Sequence, residues 1–325
     1  MMLKGTRIVV TGGAGFIGSN LCEHLLAQGA TVVCLDNLST GNIDNLTEFA
    51  NHPHFTFIQG DIRNLSTCLS VFAGADYVLH QAALGSVPRS IQDPHTTNEV
   101  NVTGFLNVIE AARQAGVKRF VYASSSSVYG DLTESPKVEE RIGNPLSPYA
   151  VSKYTNELYA GVYQVLHGLS CIGLRYFNVF GRRQNPLGEY AAVIPRFINL
   201  LKKGESPTIF GDGTQSRDFT YIDNVIQANV KALTSPPEST GKCYNVACGS
   251  ATSLNQLYAT MVELAARYQP EVRAIRPVYA PPRPGDILFS LASIEQGRHQ
   301  LGYYPTHTLE EGLAETIKWY WTQSN

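Results

Sequence analysis

Apolar and polar positions alternate in blocks along the first half of the 325-residue chain. Short runs rich in β-branched residues at 7–11, 31–35, 55–59, 76–81, 119–124 and 170–176 predict strands. Between them, 16–28, 97–115 and 148–166 carry apolar residues three and four apart, the pattern of helices that lay one face on a sheet. Strand and helix alternating in this way predict an α/β fold with a doubly wound parallel sheet. After Phe177 the rhythm changes, and Gly, Pro, Arg and Asn surround a single helical stretch at 193–203. A further buried strand at 243–247 predicts a return to the sheet, followed by helices at 254–268 and 309–321. The expected organisation is a first domain over 1–180 with that returning strand, and a smaller, discontinuous α/β domain over most of 181–325.

Composition narrows the partners. With 43% apolar and 16% charged residues the chain can build an ordinary core. Twenty-five basic and 27 acidic side chains leave a net charge of −2, and no dense Lys/Arg run would neutralise a phosphate ladder or anionic lipid, so neither nucleic acid nor membrane is expected as a partner. No apolar run approaches the roughly 20 residues of a spanning helix, and 7–11 is too short for a signal sequence before it meets glycines. The expectation is a soluble, cytoplasmic protein. Six scattered cysteines form no CxxC pair and the histidines have no partner at ligand spacing, so reduced thiols and no metal are expected.

Two constellations carry chemistry. Thr11-Gly12-Gly13-Ala14-Gly15-Phe16-Ile17-Gly18 joins the first strand to the first helix, with Gly12, Gly15 and Gly18 three residues apart. The first glycine suits a tight turn, the second lets backbone approach a pyrophosphate at the helix N-terminus, and the third lets helix and strand pack closely. Asp36, with Asn37 beside it, ends the second strand, where a carboxylate accepts ribose hydroxyls and repels a 2′-phosphate; this favours NAD over NADP. Asp61 and Ile62, just past the third strand, are placed to cover the adenine.

The second constellation is Tyr149-x-x-x-Lys153, behind Pro148 at a helix start, with both side chains on one face. Upstream, Ser124-Ser125-Ser126-Ser127-Val128-Tyr129-Gly130 sets hydroxyls at the carboxyl edge of the sheet, where open α/β folds bind ligands. A free phenol is ionised about once in 10³ at pH 7, and lowering its pKa by ~3 takes about 4 kcal/mol of preferential anion stabilisation. A lysine ammonium and an oxidised nicotinamide can supply it, and the phenolate can then take a hydroxyl proton while the carbinol is oxidised.

These residues resemble the extended short-chain dehydrogenase/reductases, in particular nucleotide-sugar C4-epimerases of the UDP-N-acetylglucosamine type. The likeness spans essentially the whole chain, through His80-Gln81-Ala82-Ala83, Asn101-Val102-Thr103-Gly104, Ser147-Pro148-Tyr149-Ala150-Val151-Ser152-Lys153, Arg175-Tyr176-Phe177-Asn178-Val179-Phe180-Gly181, Ser216-Arg217-Asp218-Phe219 and Arg283-Pro284-Gly285-Asp286. It implies a Rossmann-type NAD-binding domain, Tyr149 as base, Lys153 as its electrostatic partner, and Ser125 or Ser126 as the hydroxyl on the sugar's O4. Gln81, Ala82, Ala83, Asn101 and Tyr176 would line the NAD site. Ser86, Asn178, Ala192, Val193, Arg217, Arg283 and Asp286 resemble positions that hold a UDP-sugar.

Relatives that dehydrate the sugar carry an acid two or three places before Val-Tyr-Gly; serines stand there in this chain. The resemblance therefore implies reversible C4 epimerisation, with NAD regenerated at the end of each turnover. Ser290, four residues past Asp286, falls where the family places a residue beside the C2 substituent, and a small side chain implies room for an N-acetyl group. The expected activity is UDP-GlcNAc to UDP-GalNAc conversion for surface polysaccharide, by a homodimer joined through the 97–115 and 148–166 helices. The residues leave open a UDP-glucose or UDP-uronic acid epimerase, another nucleotide-sugar enzyme such as a decarboxylase or reductase, and a non-catalytic NAD-sensing module.

Overall fold

The computed structural model describes residues 3–187, 191–282 and 289–323. The first half supplies β1 (Arg7–Thr11), β2 (Thr31–Asp36), β3 (Phe55–Gln59), β4 (Tyr77–His80), β5 (Arg119–Ser125) and β6 (Cys171–Tyr176). All pair in parallel, and the strand Lys242–Val246 joins beside β6. The order across the sheet is Lys242–Val246, β6, β5, β4, β1, β2, β3. The chain's direction of travel reverses between β1 and β4, so the loops after these strands diverge and open a crevice at the carboxyl edge.

Side chains alternate between two buried faces, as the two-residue period of a strand requires. Val9, Val33, Leu35, Val78, Phe120 and Tyr122 pack under the helices Leu65–Phe72, Gly104–Ala115 and Pro148–His167. Ile8, Val10, Val32, Cys34, Leu79 and Val121 pack under Phe16–Ala27 and Ile222–Thr234 on the other face. Burial on both sides explains why the strands read as nearly unbroken apolar runs.

Two elements depart from the sequence expectation. The helix expected over 97–115 is interrupted: Pro94–Asn98 leads into a π-helical turn, Glu99–Thr103, before Gly104–Ala115. Gly104 approaches so closely that a Cβ there would lie 2.7 Å from Ile62. The Ile222–Thr234 helix gave no clear apolar period because its buried face carries Asn224 and Asn229. Asn229 donates to the Tyr176 hydroxyl at 2.9 Å, and Asn224 donates to the His307 carbonyl at 2.8 Å, so neither amide is buried without partners.

The remaining elements form small sheets at the carboxyl edge. Val179–Phe180 pairs with Thr220–Tyr221, and Thr208–Phe210 with Val278–Ala280. Ser216–Asp218 lies between Ala251–Ser253 and Phe289–Ser290. The helices Val193–Lys202, Leu254–Ala265 and Leu309–Thr322 share one apolar cluster with the sheet face above, which ties this region to the crevice. No described helix is long and apolar enough to cross a membrane.

Candidate active site

β1 delivers the chain to Gly12 at φ +68°, a conformation that favours glycine, and a Cβ there would lie 2.6 Å from the Ala82 nitrogen. A Cβ on Gly18 would lie 2.1 Å from the Gly12 carbonyl, so loop and helix touch through backbone alone. Gly15 differs: it would meet only the Gly12 oxygen, at 3.1 Å, and it caps the Phe16–Ala27 helix with no side-chain hydrogen bond. Its open side and the uncapped N–H groups of the first turn form an anion-binding cradle.

That cradle belongs to a cavity of about 550 Å³, lined by Gly12, Gly15, Phe16, Ile17, Gly18, Asp36, Asn37, Asp61, Ile62, Gln81, Ala82 and Ala83. Its wall continues through Ser124, Ser125, Ser126, Tyr149, Lys153 and Tyr176 to Asn178, Gln184 and Ala192. The buried Asp36 carboxylate accepts from the Ala14 amide at 3.0 Å and the Leu38 amide at 2.8 Å, one bond per oxygen, leaving acceptor sites for ribose hydroxyls. Asp61 accepts from Asn37 at 3.0 Å and pairs with Arg63 at 2.8 Å, which holds its carboxyl down at about 2.

The Pro148–His167 helix begins with Ser147 accepting from the Ala150 amide at 3.1 Å and Pro148 at its first position, which fixes where Tyr149 emerges. One turn on, Lys153 is only 2% exposed and donates to the Ala123 carbonyl at 2.9 Å. Burial pushes its ammonium down to about 8, opposed by Glu157. Burial raises the Tyr149 phenol, and a hydrogen bond with Ser125 works against that rise.

The serines at the end of β5 differ in their hydrogen bonds. Ser124 donates to Glu157 at 2.5 Å, turned away from the reacting groups. Ser125 accepts from the Ser127 amide at 3.2 Å and the Ser127 hydroxyl at 2.9 Å. With its acceptor capacity taken, the Ser125 proton is directed outward, where Tyr149 or a substrate oxygen can receive it. His80 is bonded to Thr11 at 2.7 Å, and burial and then Lys153 hold its imidazolium down at about 3, which favours the neutral ring.

Other residues expected at the site lie off this wall. Asn101 is buried in the π-helical turn, where it accepts from the Leu84 amide at 2.8 Å and donates to Ser152 at 3.1 Å, so it clamps the 81–85 loop to the Tyr149 helix. Ser86 caps the Val87–Gln92 helix through the Arg89 amide at 3.2 Å. Val193 and Arg217 line a separate hollow of about 150 Å³ with Arg196, Phe210 and Leu254, and Ser290 pairs beside Arg217 across two strands. Arg283 and Asp286 lie outside the described residues.

Ser39, Thr40, Gly85 and Gln184 line the main cavity without having been anticipated. Ser39 and Thr40 were findable as hydroxyls just past the β2 acid. Gln184 was not, since only the tertiary fold brings its loop here; its Nε2 donates to the Val179 carbonyl at 3.1 Å and its Oε1 is buried without a partner. Asn178, at φ +36°, holds the Asp218 carbonyl at 2.9 Å and so links the cavity to the Arg217 strand. The described residues contain no cluster of His, Cys, Asp and Glu able to hold a metal.

The model of the NAD dependent epimerase/dehydratase family matches residues 8–247. A UDP-glucose 4-epimerase from Mycolicibacterium smegmatis is 39% identical over 322 residues, covering 98% of this chain and 99% of its own. The solved UDP-N-acetylglucosamine 4-epimerase from Methanobrevibacter ruminantium M1, in complex with UDP-N-acetylmuramic acid, aligns with a TM-score of 0.91 at 38% identity over 98% of each chain. The UDP-glucose 4-epimerase of Thermus thermophilus, in complex with NAD, aligns with a TM-score of 0.84 at 35% identity, over 98% of this chain and 100% of that one.

Sheet order, glycine cradle and the Tyr–Lys helix thus define an extended short-chain dehydrogenase/reductase. Within that class the chain belongs to the NAD dependent epimerase/dehydratase family, and its cofactor is NAD. The cradle at Gly15, which a side chain would begin to fill, and the acceptor sites left on Asp36 both fit that dinucleotide. When bound, NAD supplies a reversible two-electron acceptor.

Proposed function

We propose that the chain interconverts UDP-GlcNAc and UDP-GalNAc by reversible oxidation at C4. The observation that carries the C4 chemistry is the end of β5, where Ser125 hydrogen-bonds Tyr149 while Lys153 is anchored two residues earlier on the Ala123 carbonyl. Tyr149 takes the C4 hydroxyl proton as that carbon is oxidised, and gives it back when the carbon is reduced from the other face. Ser125 orients O4, and the Lys153 ammonium stabilises the phenolate. No acid stands at 125–127, so elimination of water from the sugar has no donor on this loop.

The sugar's carrier is a UDP group. Ala192 lines the main cavity and its neighbour Val193 the second hollow, so a diphosphate can pass between them toward Arg217 and an aromatic floor at Phe210. We assign Ser290, a small residue paired beside Arg217, to the position next to the C2 substituent, which leaves room there for an N-acetyl group. Ser290→Tyr is expected to abolish turnover of UDP-GlcNAc and spare UDP-glucose; equal loss of both contradicts the assignment.

A homodimer is supported by an exposed apolar stripe on the Pro148–His167 helix: Leu158, Val162, Val165 and Leu166 are 54%, 50%, 82% and 70% exposed. These positions share one face, and Val165→Glu with Leu166→Glu is expected to give a monomer by sedimentation.

The deciding experiment offers the purified protein UDP-GlcNAc, UDP-glucose and UDP-glucuronate separately and resolves the products. Conversion of UDP-GlcNAc to its galacto isomer without net nicotinamide consumption is expected. Conversion of UDP-glucose alone overturns the substrate, and CO₂ release or stoichiometric nicotinamide use overturns the reaction.

A further inference from the structure

A buried ion pair, Glu157 with Arg175, lies directly behind the reacting groups, and the proton transfer just described makes no use of it. Arg175 on β6 grips Glu157 twice, Nε to Oε1 at 2.9 Å and Nη2 to Oε2 at 2.8 Å, with side chains only 6% and 7% exposed. Replacing such a buried pair with apolar side chains is often neutral or stabilising, so its presence calls for a role other than stability.

Its register supplies one. Tyr149, Lys153 and Glu157 follow at four-residue intervals along one helix face, and three consecutive residues at the end of β5 hold them. The Ser125 hydroxyl bonds Tyr149, the Ala123 carbonyl takes Lys153, and the Ser124 hydroxyl donates to Glu157. We propose that Glu157 and Arg175 form a charge-setting pair that acts through Lys153: the carboxylate holds the ammonium protonated and the guanidinium limits that pull. Glu157 and Arg175 are thus positioning residues, and the proposal rests on Tyr149 and Lys153 being the proton-transfer pair.

The surroundings leave few other groups to do this. Burial works against the Lys153 charge, and the Glu157 carboxylate one helical turn on favours it. His80, from β4, is neutral. Tyr122 on β5 and Cys243 on the Lys242–Val246 strand face Glu157, and burial keeps both protonated, Cys243 with its thiol pushed up to about 12. Arg175 continues to the Tyr129 hydroxyl at 3.1 Å and the Glu139 carbonyl at 3.0 Å. Tyr129 in turn donates to Asn245 at 2.6 Å, and Asn245 to the Ser293 carbonyl at 3.0 Å, which joins the pair to the segment that follows Ser290.

The test is the pH profile of kcat for the full-length, NAD-loaded protein at saturating UDP-sugar. Lys153 must be charged, so its deprotonation sets the alkaline limb. Glu157→Gln removes the attractive charge and is expected to move that limb down by about one pH unit, while Arg175→Met moves it up by about as much. Glu157→Gln with Arg175→Met, which buries no lone charge, is expected to return it close to the parent. Lower rates with an unmoved limb in all three mean a merely structural pair and overturn the proposal. Should Glu157→Gln not fold, Arg175→Met decides alone, since a limb that does not move contradicts the assignment; a downward move marks protonation of the unpaired Glu157 carboxyl, the same loss of charge as in Glu157→Gln. Failure of the underlying reading is separable: it is a Tyr149→Phe variant that keeps its rate.

Discussion

The two ends of the cleft are assembled differently. At the cofactor end, Gly12, Gly15, Gly18 and Asp36 come from one continuous strand–turn–helix–strand passage; Gly15, Gly18 and Asp36 are placed by contacts within it, and Gly12 also packs on the Ala82 backbone. At the sugar end, Asn178, Gln184, Ala192, Arg217 and Ser290 come from separate segments gathered by strands of two or three residues and by single contacts such as Asn178 to Asp218. The first end is built by sterics and has no room for an added atom at Gly12 or Gly18. The second is built by long-range pairing and can be re-cut by changing one side chain, which is how one scaffold keeps its chemistry and alters its substrate.

The largest break in this comparison comes from the centre that both ends share. Tyr149→Phe is expected to lower epimerisation by about 10²–10⁴-fold while NAD is retained, as product assay and bound-nicotinamide absorbance can measure. Ser125→Ala removes the outward proton and is expected to cost roughly 10²-fold, whereas Ser126→Ala, whose hydroxyl makes no bond to Tyr149, stays within a few-fold. Comparable loss in both would return the serine register to an open question. The acid limb of the profile follows Tyr149: the rate falls as pH drops because the phenolate is protonated, and it moves up in Ser125→Ala because a stabilising donor is lost.

The cofactor end predicts a graded glycine series. Gly18→Ala puts a Cβ 2.1 Å from backbone and is expected to lose about 1–3 kcal/mol or more by thermal melting. Gly15→Ala, at 3.1 Å, is expected to melt close to the parent yet bind NAD more weakly, since its methyl occupies the anion cradle. Asn101→Ala is expected to cost about 1–3 kcal/mol through the orphaned Leu84 and Ser152 groups. If Gly15→Ala destabilises as much as Gly18→Ala, the two glycines do not have separate roles.

The same contrast explains what could be seen in the sequence. All seven sheet strands, the glycine turn, Asp36 and the Tyr149–Lys153 helix were legible because each is a local pattern with a local cause. The Ile222–Thr234 helix was hidden by Asn224 and Asn229 on its buried face, amides that make sense only once Tyr176 and the 306–307 segment are beside them. The π-helical turn was hidden because an inserted residue leaves the apolar spacing of 97–115 nearly intact. Asn101 was recognisable as special, while its hydrogen bonds to Leu84 and Ser152 depend on tertiary placement. Gln184 and the split between the two hollows depend wholly on tertiary placement.

The most direct measurement follows a deuterium label at C4 of UDP-GlcNAc through turnover in ordinary water. The account predicts UDP-GalNAc that keeps the deuterium at C4, because the hydrogen removed from that carbon is returned to it within one closed site while only the hydroxyl proton passes through Tyr149. Product that has lost its C4 deuterium to solvent would contradict reversible oxidation at this carbon.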